Sequence, residues 1–298
     1  MQLLYVNENT ENTISPQTLQ IELHKQFGKT RELFVYLIHF LIEVARYAEV
    51  DAKHRASKNI TTQEDLNVNI KIAGNDILWQ ILENPSYQKV VEEDKPERYI
   101  DADLIKRFYL ILIETPEYVE YVAGKSRERK KDREILEFLF NVILLPNEIF
   151  QEHVEDCFNN WEDDAEMLQQ LVNNVLQKSS QDIHQIISND KWQFAKSLLA
   201  TVSEKKTYLM ELIKPKLKNW DMDRVAVLDL ILIQMGICEF LYFETIPTKV
   251  TINEYIDLAK EYSTLQSGQF VNGILDSIHK DLLAEGKIEK IDFNRKAH

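Results

Sequence analysis

The stretch that decides the fold runs from Asp223 to Phe243 and reads DRVAVLDLILIQMGICEFLYF. After Asp223, charged or amide side chains occur only at Arg224, Asp229, Gln234 and Glu239. A helix over these residues is apolar on nearly every side, so it belongs at the centre of a group of other helices. The acidic groups also break every apolar run long enough to cross a bilayer. The stretch therefore predicts the central helix of a bundle, with no membrane span.

Helical patterns continue on both sides of this central stretch. Downstream of residue 160, further helices are predicted at about 163–178, 190–213, 250–262 and 268–284. The helix that follows Pro247 also contains Thr251-x-x-Glu254, a pattern typical of a helix start, where it satisfies free backbone amides.

The N-terminal half has the same character. Apolar residues recur at helical spacing on one face of a long helix from about 17 to 53: Leu33, Leu37, Phe40, Leu41, Val44 and Ala48. Shorter helical runs follow at about 75–93, 102–114 and 133–144, separated by prolines. Glycine and proline number only 14 of 298 residues, well below the share of about 12% in an average protein. We expect an all-α protein.

The charge is strongly acidic and unevenly distributed. The chain has 49 acidic and 35 basic side chains, a net charge of -14. Residues 1–189 account for -13 of it and residues 190–298 for -1. This charge balance excludes a protein that coats nucleic acid through a generally basic surface. Two cysteines without metal or disulfide spacing, and the absence of a signal sequence, make the cytoplasm the expected compartment.

No catalytic chemistry is apparent. Gly28-Lys29-Thr30 resembles the end of a phosphate-binding loop, but Leu23 occupies the position of the required earlier glycine. The carboxylate pairs at residues 101/103, 163/164 and 221/223 are typical of helix starts, where acids are favoured, so we predict no metal site. The sequence predicts a protein that is not an enzyme and that needs no cofactor.

Three blocks of residues in the C-terminal part occur in a fixed order. They are Asn219-Trp220-x-x-Asp223-Arg224 with Gly236-x-x-Glu239-Phe240-Leu241, then Ile246-Pro247-x-Lys249-Val250-x-Ile252-Asn253-Glu254-Tyr255-x-x-Leu258-Ala259-Lys260-x-Tyr262, and Ser267-x-x-Phe270-Val271-Asn272-Gly273-x-Leu275-Asp276. With these blocks the chain resembles the NusB family of bacterial transcription antitermination factors over about residues 160–285. Gln2-x-Leu4-Tyr5 is similar to the end of the family's first helix.

The resemblance implies a domain organisation for the chain. Residues 1–160 would hold a remnant of the first NusB-type helix followed by an acidic helical extension. Residues 161–286 would form the NusB-like domain, and residues 287–298 a polar tail.

The resemblance also implies binding rather than catalysis. Members of this family pair with the small-subunit ribosomal protein that doubles as NusE, and the pair recognises boxA RNA. The complex with RNA polymerase then transcribes through ribosomal RNA operons. The expected partners are therefore boxA-like single-stranded RNA, a NusE-like ribosomal protein and the RNA polymerase antitermination complex, and no membrane is involved.

By the same resemblance, six residues are candidates for RNA contact. Phe270 matches an aromatic residue of the family's RNA face, and the alternative for Phe270 is ordinary core packing. The other five candidates are Tyr5, Lys249, Ser267, Gln269 and Asn272. The basic ribosomal partner suggests acidic contacts at Asp223, Asp229 and Glu239. The alternatives are that Asp223 caps its helix and that Asp229 is a buried carboxylate with its hydrogen bonds satisfied.

Departures from the family pattern weaken the expected RNA affinity. The given sequence begins at Met1, already inside the first helix motif, so either its start is truncated or misassigned or the protein lacks the family's arginine-rich arm. Gln234 and Gln269 stand where basic residues are common. We therefore expect weak RNA binding by the protein alone and stronger binding with the ribosomal partner.

Two other functions compete with this one. In the first, the acidic extension makes the protein an interaction scaffold with little RNA affinity. In the second, the chain is the targeting domain of an RNA cytosine methyltransferase. The second is rejected because no doubly wound domain with a glycine-rich loop follows before His298.

Overall fold

The computed structural model describes residues 1–10, 14–58, 60, 62–63, 68–124, 128–217, 225–264 and 266–291. Helices make up 78% of these residues, and the described part of the chain contains no strand. The prediction of an all-α fold is confirmed. In the same residues, no helix combines the length and the apolar character that crossing a membrane requires.

Thirteen α-helices are present in the described residues. In chain order they are α1 (Gln2–Glu8), α2 (Pro16–Ala56), α3 (Asp76–Leu82), α4 (Pro85–Asp94), α5 (Ala102–Ile113), α6 (Pro116–Ala123), α7 (Arg129–Phe138), α8 (Glu148–Cys157), α9 (Trp161–Gln177), α10 (Asn189–Ile213), α11 (Val227–Tyr242), α12 (Thr248–Tyr262) and α13 (Ser267–Ala284). Short 3₁₀ helices span Pro96–Tyr99 and Lys214–Leu217, and a π-helical segment spans Leu139–Leu144.

The chain divides into two compact units. One contains Met1–Lys25 and Ile187–His298, and the other contains Gln26–Ile186. Helix α1 thus groups with the C-terminal helices although a whole unit separates them along the chain. The boundaries of these units, at 25/26 and 186/187, differ from the predicted domain boundary at 160/161. The predicted boundary concerns the extent of the family domain, and it stays a prediction.

Helix α11 is the centre of the unit that contains both termini. Leu232, Ile233, Ile237 and Phe240 are fully buried, and α10, α12 and α13 pack around the helix. At Gly236, a Cβ atom would lie 2.8 Å from a methyl carbon of Leu275, so the glycine allows α11 and α13 to approach closely. The prediction of a central apolar helix is confirmed.

The second unit has a core of its own around the later part of α2. The six residues predicted to share one face of this helix are each at most 1% exposed: Leu33, Leu37, Phe40, Leu41, Val44 and Ala48. The side chains of Asn75, Asn84, Asp101 and Thr115 accept backbone N–H groups at the starts of α3, α4, α5 and α6. Asp101 is thus a helix cap, as predicted, because its carboxylate satisfies amides that have no partner within the helix.

The predicted cap at the start of α12 is wrong. Pro247 occupies the N-cap position and no side chain caps the helix. Thr251 is fully buried, and its hydroxyl donates to Glu239 Oε2 at 2.8 Å instead. The helix begins at Thr248, so Thr251 already lies within its first turn, and the Thr251 backbone N–H donates to the Pro247 carbonyl at 3.2 Å.

Candidate nucleic-acid interface

A surface cleft lies where the first turns of α11 and α13 meet. Its volume is about 180 Å³. The lining residues come from these two turns and the segments just before them: Val225, Ala226, Asp229, Thr264, Gln266, Ser267 and Phe270. The cleft therefore brings together three residues that the sequence analysis singled out separately, namely Asp229, Ser267 and Phe270.

Asp229 is a nearly buried carboxylate in the wall of this cleft, with 5% of its surface exposed. Ser267 is also buried, and its hydroxyl donates to Asp229 Oδ2 at 2.9 Å. The Ser267 oxygen in turn accepts the backbone N–H of Thr264 at 3.2 Å. The other carboxylate oxygen, Asp229 Oδ1, is buried and has no hydrogen-bond partner among the described residues. The Asp229 carboxylate is thus held inside the wall of the cleft by Ser267.

Phe270 is partly buried and lies on α13, where it packs against the apolar core of the unit. It also lines the cleft. Core packing and surface function, the two alternatives for this side chain, are therefore compatible, because Phe270 both packs against the core and lines the cleft.

The remaining predicted RNA residues are exposed. Gln269 and Asn272 lie three positions apart on α13, so they share one helix face next to Phe270. Lys249 lies in the first turn of α12, and Tyr5 lies on α1 with 45% of its surface exposed. Neither Lys249 nor Tyr5 lines the cleft. These assignments stay predictions.

Glu239 is the second buried carboxylate of α11, with 6% of its surface exposed. Tyr255 donates its hydroxyl to Oε1 at 2.6 Å, and Thr251 donates to Oε2 at 2.8 Å. Burial raises the pKa of Glu239 above its ordinary value of 4.5, and the two hydrogen bonds partly offset that rise. The Lys290 ammonium donates to the backbone carbonyls of Glu239 and Phe243, both at 2.7 Å. This network joins α11, α12 and the segment after α13.

The three predicted partner contacts have different positions. Asp223 lies outside the described residues. Asp229 and Glu239 are described, and the carboxylates of both are engaged inside the unit. Glu239 has partners for both of its carboxylate oxygens, whereas Asp229 is buried, as its alternative states, with a partner only for Oδ2 among the described residues. Direct partner contact by these residues stays a prediction.

Sequence reasoning did not identify Thr264 and Gln266, which complete the cleft. A signal was nonetheless available, because an aspartate inside an otherwise apolar helix requires a buried partner. That partner is Ser267 at the start of α13, and the segment just before Ser267 supplies Thr264 and Gln266. Among the described residues, no three His, Cys, Asp or Glu side chains come together as metal ligands would.

Comparison with known proteins identifies the part of the chain that carries this site. The model of the NusB family matches residues 148–280. Three relatives bear the name transcription antitermination protein NusB. The protein of Finegoldia magna is 41% identical over 97 residues, which are 33% of this chain and 71% of the relative. No solved structure matches the chain.

The other two relatives match shorter segments. The protein of Methylacidiphilum infernorum is 48% identical over 83 residues, 28% of this chain and 58% of its own. The protein of Salinibacter ruber is 44% identical over 80 residues, 27% of this chain and 50% of its own. The chain thus spans only about half the length of these two relatives. The family match includes the whole of the cleft between α11 and α13, and this chain belongs to the NusB family of transcription antitermination proteins.

Proposed function

We propose that this protein is a transcription antitermination factor that binds boxA-type single-stranded RNA together with a NusE-like small-subunit ribosomal protein. In this role it joins the RNA polymerase antitermination complex and promotes transcription through ribosomal RNA operons. Membership of the NusB family supports the antitermination role. The cleft between α11 and α13 supports RNA binding.

The observation that carries the proposal is the presence of Phe270 and Asp229 in one cleft. Unstacked RNA bases are bound by aromatic rings and by hydrogen bonds to their edges. Phe270 supplies an aromatic surface for a base. The buried Asp229 carboxylate accepts the Ser267 hydroxyl in the first turn of α13 and so fixes the wall of the cleft beside this ring.

The other proposed RNA residues have distinct roles. Gln269 and Asn272 offer amide groups to base edges or phosphates beside Phe270, and both side chains are exposed. Lys249 neutralises a phosphate, and Tyr5 offers a second aromatic surface. The Ser267 hydroxyl is already engaged with Asp229 and Thr264, so we assign Ser267 to positioning the Asp229 carboxylate rather than to direct contact.

The charge of the protein explains why a basic partner is part of the proposal. The unit that contains the cleft has 16 basic and 19 acidic side chains, whereas phosphate binding gains its affinity from positive charge. A basic ribosomal protein supplies that charge and is attracted to an acidic surface. Asp223 is retained as a candidate contact with it, whereas Asp229 and Glu239 are proposed to act by fixing the helices that form the surface.

Fluorescence anisotropy of a labelled boxA-like RNA tests the proposal. The RNA is titrated with the protein alone and with the NusE-like ribosomal protein, at two salt concentrations. We expect weak, salt-sensitive binding that tightens with the partner. Phe270→Ala is expected to weaken binding about tenfold or more, because stacking on one aromatic residue contributes about 1–3 kcal/mol per base.

The control for this variant is Trp79→Ala, which removes an exposed aromatic residue outside the family match. It is expected to leave RNA affinity unchanged. Equal affinity of wild type and Phe270→Ala, with circular dichroism showing both folded, would contradict the assignment of the cleft. Partner binding without any RNA in the complex would contradict the antitermination function itself.

A further inference from the structure

A second cleft lies in the other unit, between α6 and α7, outside the segment that matches the family. Its volume is about 250 Å³. We call it the α6–α7 cleft, and its lining residues are Glu117, Glu120, Tyr121, Lys131, Glu134, Ile135 and Phe138. The proposed RNA function involves none of these residues.

The floor of the α6–α7 cleft is apolar and its rim is acidic. Ile135 and the ring of Tyr121 are buried, and Phe138 is only partly buried, so apolar surface faces the opening. Glu117, Glu120 and Glu134 are exposed on the rim. An apolar floor with a charged rim is the usual composition of a surface that binds a protein segment.

Among the described residues, the rim of the cleft carries three carboxylates and one ammonium group. Among the described residues that line the cleft, Lys131 is the one basic residue, and its ammonium lies 3.9 Å from Glu120. Glu134 is 3.6 Å from Lys130, both at exposed positions where an ion pair contributes little. Glu117 makes no ion pair with any described residue. The surrounding unit, residues 26–186, has 19 basic and 30 acidic side chains, which reinforces the negative field at this opening.

The cleft is held in shape by a buried polar network. The Tyr121 hydroxyl donates to Asp132 Oδ1 at 2.6 Å, and Asp132 is 1% exposed. The Lys71 ammonium lies 4.5 Å from the centre of the Tyr121 ring and donates to the carbonyls of Tyr121 and Gly124 at 2.6 and 2.8 Å. These contacts fix α6 against α7, so binding does not require the cleft to be formed first.

From these features we infer that the α6–α7 cleft is a docking site for a basic protein segment that carries apolar side chains between lysines or arginines. The aliphatic stem of a lysine or arginine would cover Phe138 and Ile135, while its charged end reaches the rim glutamates. The volume corresponds to about eight water molecules, enough for one long side chain and part of its neighbour. A nucleic acid does not fit, because its phosphates would meet three glutamates.

The probe that tests this inference is a fluorescein-labelled peptide, GSKLRFKSG, titrated with the full chain and followed by anisotropy. The peptide GSKSRSKSG has the same charge without apolar side chains, and GSELEFESG has the apolar side chains with the opposite charge. We expect saturable binding of GSKLRFKSG, at least fivefold weaker binding of GSKSRSKSG and no binding of GSELEFESG.

Two double variants distinguish peptide binding in the α6–α7 cleft from a general attraction of the basic peptide to the acidic chain. Glu117→Gln with Glu134→Gln neutralises the rim, and Glu162→Gln with Glu166→Gln neutralises two exposed acids on α9 as a matched control. The rim variant is expected to weaken GSKLRFKSG binding about fivefold to tenfold, since each exposed ion pair contributes up to about a factor of five. The α9 variant is expected to change it by less than about twofold.

Several results would overturn the inference. One such result is an equal loss of GSKLRFKSG affinity in the two double variants. Another is equal affinity of the wild-type protein for GSKLRFKSG and GSKSRSKSG. A third is the absence of saturable GSKLRFKSG binding up to about 1 mM. Competition by a single-stranded RNA that depends on the rim glutamates would assign the cleft to RNA instead. Phe138→Ala provides an independent check, because it should weaken GSKLRFKSG binding while leaving GSKSRSKSG binding unchanged.

Discussion

Removal of one hydroxyl group tests the buried network around Glu239. In Tyr255→Phe the ring stays in place, because Tyr255 is 3% exposed and packed in the core. The only loss is the hydrogen bond of 2.6 Å from the hydroxyl to Glu239 Oε1. Hydrogen bonds to charged groups contribute about 1.5–3 kcal/mol, so we expect the free energy of unfolding to fall by about 2 kcal/mol at pH 7.5.

The loss of unfolding free energy caused by Tyr255→Phe should depend on pH in a defined direction. The Tyr255 hydroxyl lowers the pKa of Glu239, so the variant's Glu239 has a higher pKa and the folded variant binds protons more readily than folded wild type. Extra protons bound by the folded state mean that the variant gains stability relative to wild type as pH falls. The difference in unfolding free energy between wild type and Tyr255→Phe is therefore expected to be largest at pH 7.5 and smaller near pH 5.

Urea unfolding followed by circular dichroism measures the loss of unfolding free energy in Tyr255→Phe and its dependence on pH. A loss of about 2 kcal/mol moves the midpoint by about 1 M when the denaturant slope is about 2 kcal/mol/M. Tyr242→Phe is the control, since it removes an exposed hydroxyl from α11 and should change stability by less than about 0.5 kcal/mol. A Tyr255→Phe cost below about 0.5 kcal/mol at pH 7.5, or a cost that does not depend on pH, would refute this account of the network.

Two further stability predictions follow from packing and capping. Gly236→Ala places a Cβ atom 2.8 Å from Leu275, whereas Gly273→Ala meets no atom within 4 Å. In urea unfolding, Gly236→Ala is therefore expected to be less stable than Gly273→Ala by at least about 1 kcal/mol. Equal stabilities of the two variants would contradict the close approach of α11 and α13. Asn84→Ala removes the cap of α4 and the donor to the carbonyls of Ser179 and Gln181, so a loss of about 2–3 kcal/mol is expected in the same assay.

Much of the helical architecture follows from local rules in the sequence. The central position of α11 is evident from its apolar character on all sides, and the buried face of α2 from its periodicity. Pro85 and Pro116 lie in the first turns of α4 and α6, where a missing N–H costs nothing. Helices α6 and α8, by contrast, were not predicted, because helices of eight and ten residues depend on tertiary packing more than on their own pattern.

The candidate site was only partly predictable. Phe270 was identified by resemblance, but its place in a cleft with Asp229 depends on how α13 crosses the start of α11. The roles of Ser267 and Thr251 also depend on tertiary packing. Their hydroxyls are directed to buried carboxylates that lie 38 and 12 residues away in the chain.

The sequence by itself determined that the chain is helical, acidic and related to the NusB family, because composition, periodicity and motif order are properties of neighbouring residues. Only the tertiary structure decided that α1 joins the C-terminal helices and that Asp229 and Glu239 face inward. It also decided that the acidic unit carries the α6–α7 cleft. The physical reason is that desolvating a carboxylate is costly unless distant donors reach it, and the positions of those donors are set by packing rather than by spacing along the chain.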